Sequence, residues 1–147
     1  MHHPQPAATE DAIAAFEQAH GFQLDDELRA FYRATNGAKL FREFDSPYWI
    51  FPLERIIPAS VAVYGPEAET PHGTANVFAL CDVLDGNYAG FAVTSPMPYP
   101  IYDIFHEAWH LPEHRKVIAA SFGEFLARAL RSGGFSYWLG GPPVSPP

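Results

Sequence analysis

The chain has 147 residues, 48% of them hydrophobic, which is the size of one ordinary domain with material for one core. Seventeen acidic residues against nine basic ones give a formal net charge of -8 without any run of Lys or Arg. Nucleic acid is therefore a poor partner and a basic protein a better one, because neutralising phosphates supplies most nucleic-acid affinity.

Cys81 is the single cysteine, so neither an internal disulfide nor a cysteine zinc site can be built, and a reducing compartment fits. The N-terminus lacks the basic start and apolar run of a signal peptide, and no stretch approaches the roughly 18 apolar residues of a membrane span. A cytoplasmic protein with no membrane partner is expected. Twelve Phe, seven Tyr and three Trp exceed what a core of this size needs, which leaves aromatics for a surface.

Thr9 can cap a first helix whose opening turn carries Glu10 and Asp11, favourable charges at the positive end of the helix dipole. Ile13, Phe16 and His20 recur at helical spacing, and Gly21 supplies the left-handed residue that ends the helix. A second helix begins at Asp25 or Asp26 with Leu28, Phe31, Tyr32 and Thr35 on one stripe, and Asn36-Gly37 closes it.

From Lys39 the period changes. Tyr48-Trp49-Ile50-Phe51 reads as a strand between Pro47 and Pro52, and Leu53-Glu54-Arg55-Ile56-Ile57 as a turn of helix or loop. Residues 58–74, rich in Pro, Gly and acidic side chains, read as a long loop with an edge element at 61–64. Strands over 76–84 and 87–93 flank Asp85-Gly86, a dipeptide that favours a two-residue hairpin. Phe78 and Leu80 lie on one face of the first strand and Val77, Ala79 and Cys81 on the other, so that strand is central. A third strand spans 100–105.

Ser121-x-x-Glu124 has the form of a capping box, and Phe122, Phe125, Leu126, Ala129 and Leu130 then make an apolar stripe. Gly133-Gly134 stops this helix. Phe135, Tyr137, Trp138 and Leu139 read as a docked apolar flap, and residues 140–147 as a Pro- and Gly-rich tail beyond a single domain of residues 1–139.

His106-Glu107-Ala108-Trp109-His110 matches the zinc-peptidase pattern, in which two imidazoles one helical turn apart hold a metal and the Glu activates water. Residues 101–105 alternate like a strand, however, and on a strand His106 and His110 would stand about 13 Å apart at roughly 3.3 Å per residue. Pro112 follows closely, and Glu113 and Lys116 occupy the places of the Gly and third His of the extended motif. Only His114 or Glu113 could be offered as a third ligand. A polar corner after a strand is the expectation, with a zinc hydrolase as a remote alternative. Asp82, Asp85, Asp103 and Glu107 are candidates for a carboxylate pair or cation site, against turn chemistry and a solvated sheet end. Cys81, inside a central strand, reads as a structural thiol.

Taken in order, several of these words resemble the SUKH superfamily, which includes bacterial toxin-immunity proteins and a fungal cell-wall regulator. They are Asn36-Gly37, Leu53-Glu54-Arg55-Ile56, the hairpin Leu84-Asp85-Gly86-Asn87-Tyr88, the corner His106-Glu107, and Ser121-Phe122-Gly123-Glu124-Phe125-Leu126. The likeness runs from about Ile13 to Leu130 and departs at Leu24-Asp25, where the usual proline is absent. It implies an α+β domain, one mostly antiparallel sheet with the N-terminal helix pair and the C-terminal helix packed on it. It implies no cofactor and no catalytic residues. It also implies an immunity protein that binds a cognate toxin, often a nuclease or another nucleic-acid-modifying enzyme, or else a regulatory adaptor.

A basic toxin partner agrees with the net charge, since an acidic inhibitor complements a nucleic-acid cleft. A monomer or weak dimer is expected. The candidate partner-binding residues are acidic and aromatic side chains at loop and strand ends: Glu43, Asp45, Tyr48, Trp49, Asp85, Tyr88, Glu107 and Trp109. Core packing is the competing role for Trp49.

Overall fold

The computed structural model describes residues 2–41, 48–84, 86–134 and 136–139. In chain order it runs through β1 (His3–Pro4), α1 (Glu10–His20), α2 (Asp26–Ala34), β2 (Ala38–Leu40) and β3 (Tyr48–Ile50). It continues through β4 (Ile57–Pro58), α3 (Ala59–Tyr64), β5 (Val77–Asp82), β6 (Tyr88–Ala92), β7 (Ile101–Ile104), β8 (Lys116–Ala119) and α4 (Phe122–Arg131). These strands form one sheet in the order β1-β2-β3-β5-β6-β7-β8, with β4 beside β5 as well, and every pairing is antiparallel. The fold is α+β.

The helix starts follow from local chemistry. Thr9 Oγ1 accepts the Ala12 N–H at 3.0 Å, and Gly21, with φ 77°, ends α1 by donating its N–H to Glu17 O. Asp25 caps α2 through Oδ1, which accepts the Leu28 N–H at 2.9 Å. Ser121 Oγ accepts the Glu124 N–H at 3.2 Å, while Glu124 Oε1 reaches back to the Ala120 N–H at 2.9 Å. This is the reciprocal cap read from the sequence, shifted by one residue on the carboxylate side.

α1, α2 and α4 cover one face of the sheet. Tyr48 and Ile50 point into that face, where the Tyr48 ring meets Phe125 at 6.1 Å and Trp138 at 6.1 Å. Phe31 of α2 packs edge-on against Phe122 of α4 at 5.0 Å, and the Tyr32 hydroxyl donates to Phe51 O at 2.6 Å. Asp25 adds a second tie, since its Oδ2 accepts the Tyr99 N–H at 2.9 Å while Oδ1 caps the helix. β5 is central as expected, buried from Val77 to Cys81. Burial also pushes the Cys81 thiol well up, consistent with a structural role.

Four expectations change. Residues 59–64 form a helix instead of loop and edge. Val61 and Val63 alternate like a strand, but Ala59 and Ser60 are buried against the sheet, and that packing overrides a weak local preference. β2 and β8, three and four residues long, had no sequence reading of their own. In the hairpin, the ladder ends at Asp82↔Tyr88. Beyond it Val83 N–H donates to Asn87 O and Asn87 N–H to Leu84 O, so the connection is longer than two residues; Asp85 lies outside the described residues. Leu130 is 42% exposed, because at 100° per residue it falls on the rim of the stripe set by Phe122, Phe125 and Ala129. Phe135 and the tail 140–147 lie outside the described residues, whereas Trp138 docks in the core.

Candidate functional site

The face of the sheet opposite these three helices carries an open row of side chains. Cross-strand register aligns Lys39 of β2 with Trp49 of β3, Trp49 with Asp82 of β5, Asp82 with Tyr88 of β6, and Tyr88 with Ile104 of β7. Directly opposed residues of an antiparallel sheet share a face, so these five form one line across five strands. Ile104 is buried, and Lys39, Trp49, Asp82 and Tyr88 are half-buried.

Two cations dress the central aromatic. Lys39 Nζ lies 4.8 Å from the Trp49 ring centroid and Arg55 Cζ 4.6 Å from it. Phe51 lies beneath, edge-on to Trp49 at 5.1 Å and 6.2 Å from Tyr88, with Arg55 Cζ 5.3 Å from its ring. Among the described residues neither Lys39 nor Arg55 has a carboxylate within 4.0 Å. Burial raises the Tyr88 hydroxyl pKa; Asp82 raises it further and Arg55 lowers it, so both charges act on this ring.

The position of Arg55 follows from Asn36-Gly37. Asn36 does not close α2, which ends at Ala34 with Thr35 as its cap. Instead Asn36 Oδ1 accepts the Leu53 N–H at 2.9 Å, pinning the 3-10 turn Leu53–Arg55 that presents Arg55 to Trp49. Gly37, with φ 97°, lets the chain pass over β3: a Cβ there would lie 2.7 Å from Ile50 O and 2.8 Å from Pro52 N. Beside Trp49 a groove of about 460 Å³ opens, lined by Gln5, Pro6, Asn36, Lys39, Trp49 and Glu54.

Of the eight candidate residues, Trp49 and Tyr88 are brought together on this face, and Glu107 is exposed on the turn after β7. Tyr48 and Trp109 are corrected to core positions, 0% and 1% exposed. Tyr48 could not share a surface with Trp49, because neighbours on a strand point to opposite faces. Trp109 folds back onto the sheet, where its ring meets Tyr102 at 6.3 Å under the Arg115 guanidinium at 5.3 Å. Glu43, Asp45 and Asp85 lie outside the described residues. Lys39 and Arg55 escaped sequence reading because the signal is a register, Lys39↔Trp49, that needs β2 to be recognised first.

The zinc-peptidase pattern does not take its helical form. Residues 106–110 are turns, and Asn87 Oδ1 lies 2.9 Å from the His106 backbone N and 2.7 Å from its Nδ1. His106 thus holds the base of the β5–β6 connection. Asp82 and Asp103 fall on opposite faces of the sheet and cannot pair, the first accepting the Leu84 N–H at 2.8 Å. Among the described residues no group of three His, Cys, Asp or Glu is placed to hold a metal ion, and no helix is long and apolar enough to cross a membrane.

Residues 7–128 match the family model described as SMI1 / KNR4 family (SUKH-1). No curated protein matches the chain.

Proposed function

The chain belongs to the SMI1 / KNR4 family (SUKH-1), and from that premise we propose that it is a non-enzymatic binding protein, specifically an immunity protein that neutralises a cognate bacterial toxin by covering it. A nuclease or another nucleic-acid-modifying enzyme is the toxin class that suits the net charge of -8, since such enzymes carry basic clefts. The observation that carries the reading is the row across the open sheet face. There a Trp, a Tyr and an Arg, the residue types that dominate binding hot spots, share one sheet face, and Trp49 also lines the groove beside it.

The two parts play different roles. The overall acidity steers a basic partner toward the protein at long range, and Trp49 and Tyr88 anchor it once docked. Co-expression with its cognate toxin should rescue growth. Trp49→Ala combined with Tyr88→Ala should abolish rescue in protein that remains folded, because losing one hot-spot aromatic typically costs about 2 kcal/mol or more of binding. Equal killing with and without the protein would refute immunity and leave a regulatory adaptor in its place.

A further inference from the structure

We propose that the protein holds a second site, a carboxylate-binding pocket built on Arg115 and Trp109, which shares no lining residue with the groove beside Trp49. Arg115 follows the 3-10 turn Pro112–His114 and brings its guanidinium over the Trp109 ring, 5.3 Å from the centroid. Two of its nitrogens are used: Nε donates to Trp109 O at 2.8 Å and Nη1 to His72 O at 2.7 Å, which joins the 65–76 connection to the turn after β7. Nη2 is buried without an acceptor, and so is Nε1 of Trp109, a residue only 1% exposed. No carboxylate stands within 4.0 Å of Arg115 among the described residues, although acidic residues outnumber basic ones in the chain.

Two carbonyl oxygens and the face of the Trp109 ring are what meet the guanidinium here. Trp109 and Arg115 both line a pocket of about 260 Å³, whose other walls include Thr74, Asn76, Val77, Ala92, Thr94 and Tyr102. One positive charge and two donor nitrogens without acceptors suit a monoanion with two oxygens, one accepting from Nη2 and the other from Nε1. Val77, Ala92 and the Tyr102 ring give a short hydrocarbon a surface to pack on, beside the polar side chains of Thr74, Asn76 and Thr94. A phosphate fits less well, because a single guanidinium offsets only part of its charge. The carboxylate can come from a free short-chain acid or from the end of a peptide.

Calorimetric titration of the full chain distinguishes these sources. The probes are butyrate, benzoate, an acetylated tripeptide with a free C-terminal carboxylate, the same tripeptide as its amide, and inorganic phosphate. Saturable one-to-one binding of butyrate or benzoate identifies a free acid; binding of the tripeptide acid but not its amide, without butyrate or benzoate, identifies a peptide terminus. Removing a hydrogen bond to a charged group should weaken the bound carboxylate about tenfold or more in Arg115→Gln. Arg115 also joins two loops, so Trp109→Phe provides the second variant: it keeps a ring, removes the N–H, and should weaken binding several-fold. The proposal is overturned if no carboxylate probe binds saturably, if phosphate binds more tightly than every carboxylate, or if Trp109→Phe binds as the native chain does.

Discussion

Asp25→Asn perturbs a carboxylate that serves a helix and the sheet region together. The native side chain is 1% exposed, with Oδ1 accepting the Leu28 N–H at 2.9 Å and Oδ2 the Tyr99 N–H at 2.9 Å. Asparagine keeps the shape but offers one oxygen, so its NH2 must face a backbone N–H. One charge-assisted bond is lost and one buried donor is left unmet, which together cost roughly 2 to 4 kcal/mol. Asp25→Ala removes both acceptors and should cost about 1 kcal/mol more, the usual worth of an N-cap. Urea denaturation measures both. For a domain whose m-value is about 2 kcal/mol/M, the asparagine variant should lower the midpoint by roughly 1 to 2 M with m unchanged. A loss below about 0.5 kcal/mol would refute the double tie, because no other cause of so small a change is compatible with a buried Tyr99 N–H left without its acceptor.

Phe125→Ala should cost about 3 to 5 kcal/mol, since the ring is fully buried among Tyr48, Phe122 and Trp138, and Ser121→Ala about 1 kcal/mol for its cap. Denaturation midpoints check both, and a cost under about 0.5 kcal/mol for Phe125 would contradict the packing of α4 on the sheet. Burial pushes the hydroxyls of Tyr48 and Tyr137 up to about 12, from an ordinary value of 10.0. A raised folded-state pKa means the folded chain holds these protons more tightly, so the stabilisation is complete below pH 10 and is lost as pH rises toward about 12. Tyr137 also loses the O–H that it donates to Ile118 O at 2.7 Å. A tyrosinate absorbance titration followed alongside circular dichroism should show the late phase coinciding with unfolding; all tyrosines ionising together near 10 in folded protein would contradict it.

Helix boundaries were legible wherever the information lies within a few residues. Thr9, Asp25 and Ser121 each accept an N–H three positions on, and a residue type at a fixed short offset is visible in the chain. The same holds for the central strand, whose two apolar faces appear as the uninterrupted run from Val77 to Cys81. Asn36-Gly37 shows where this stops: its position was evident, but its work, bonding Leu53 and passing over β3, involves residues that the local pattern does not contain.

The chain by itself determined that this is an acidic domain with capped helices at both ends and strands between them, because composition and local periodicity already carry those facts; the α+β arrangement was what the family resemblance implied. The tertiary structure alone decided that Trp49 faces the open side while Tyr48 enters the core, that Lys39 and Arg55 gather on Trp49, and that Trp109 is buried under Arg115. These depend on strand register and loop closure between residues far apart in sequence. A shift of one residue would turn every side chain of β3 to the other face, and what fixes the register is the summed burial of the whole core, which no short window of sequence contains.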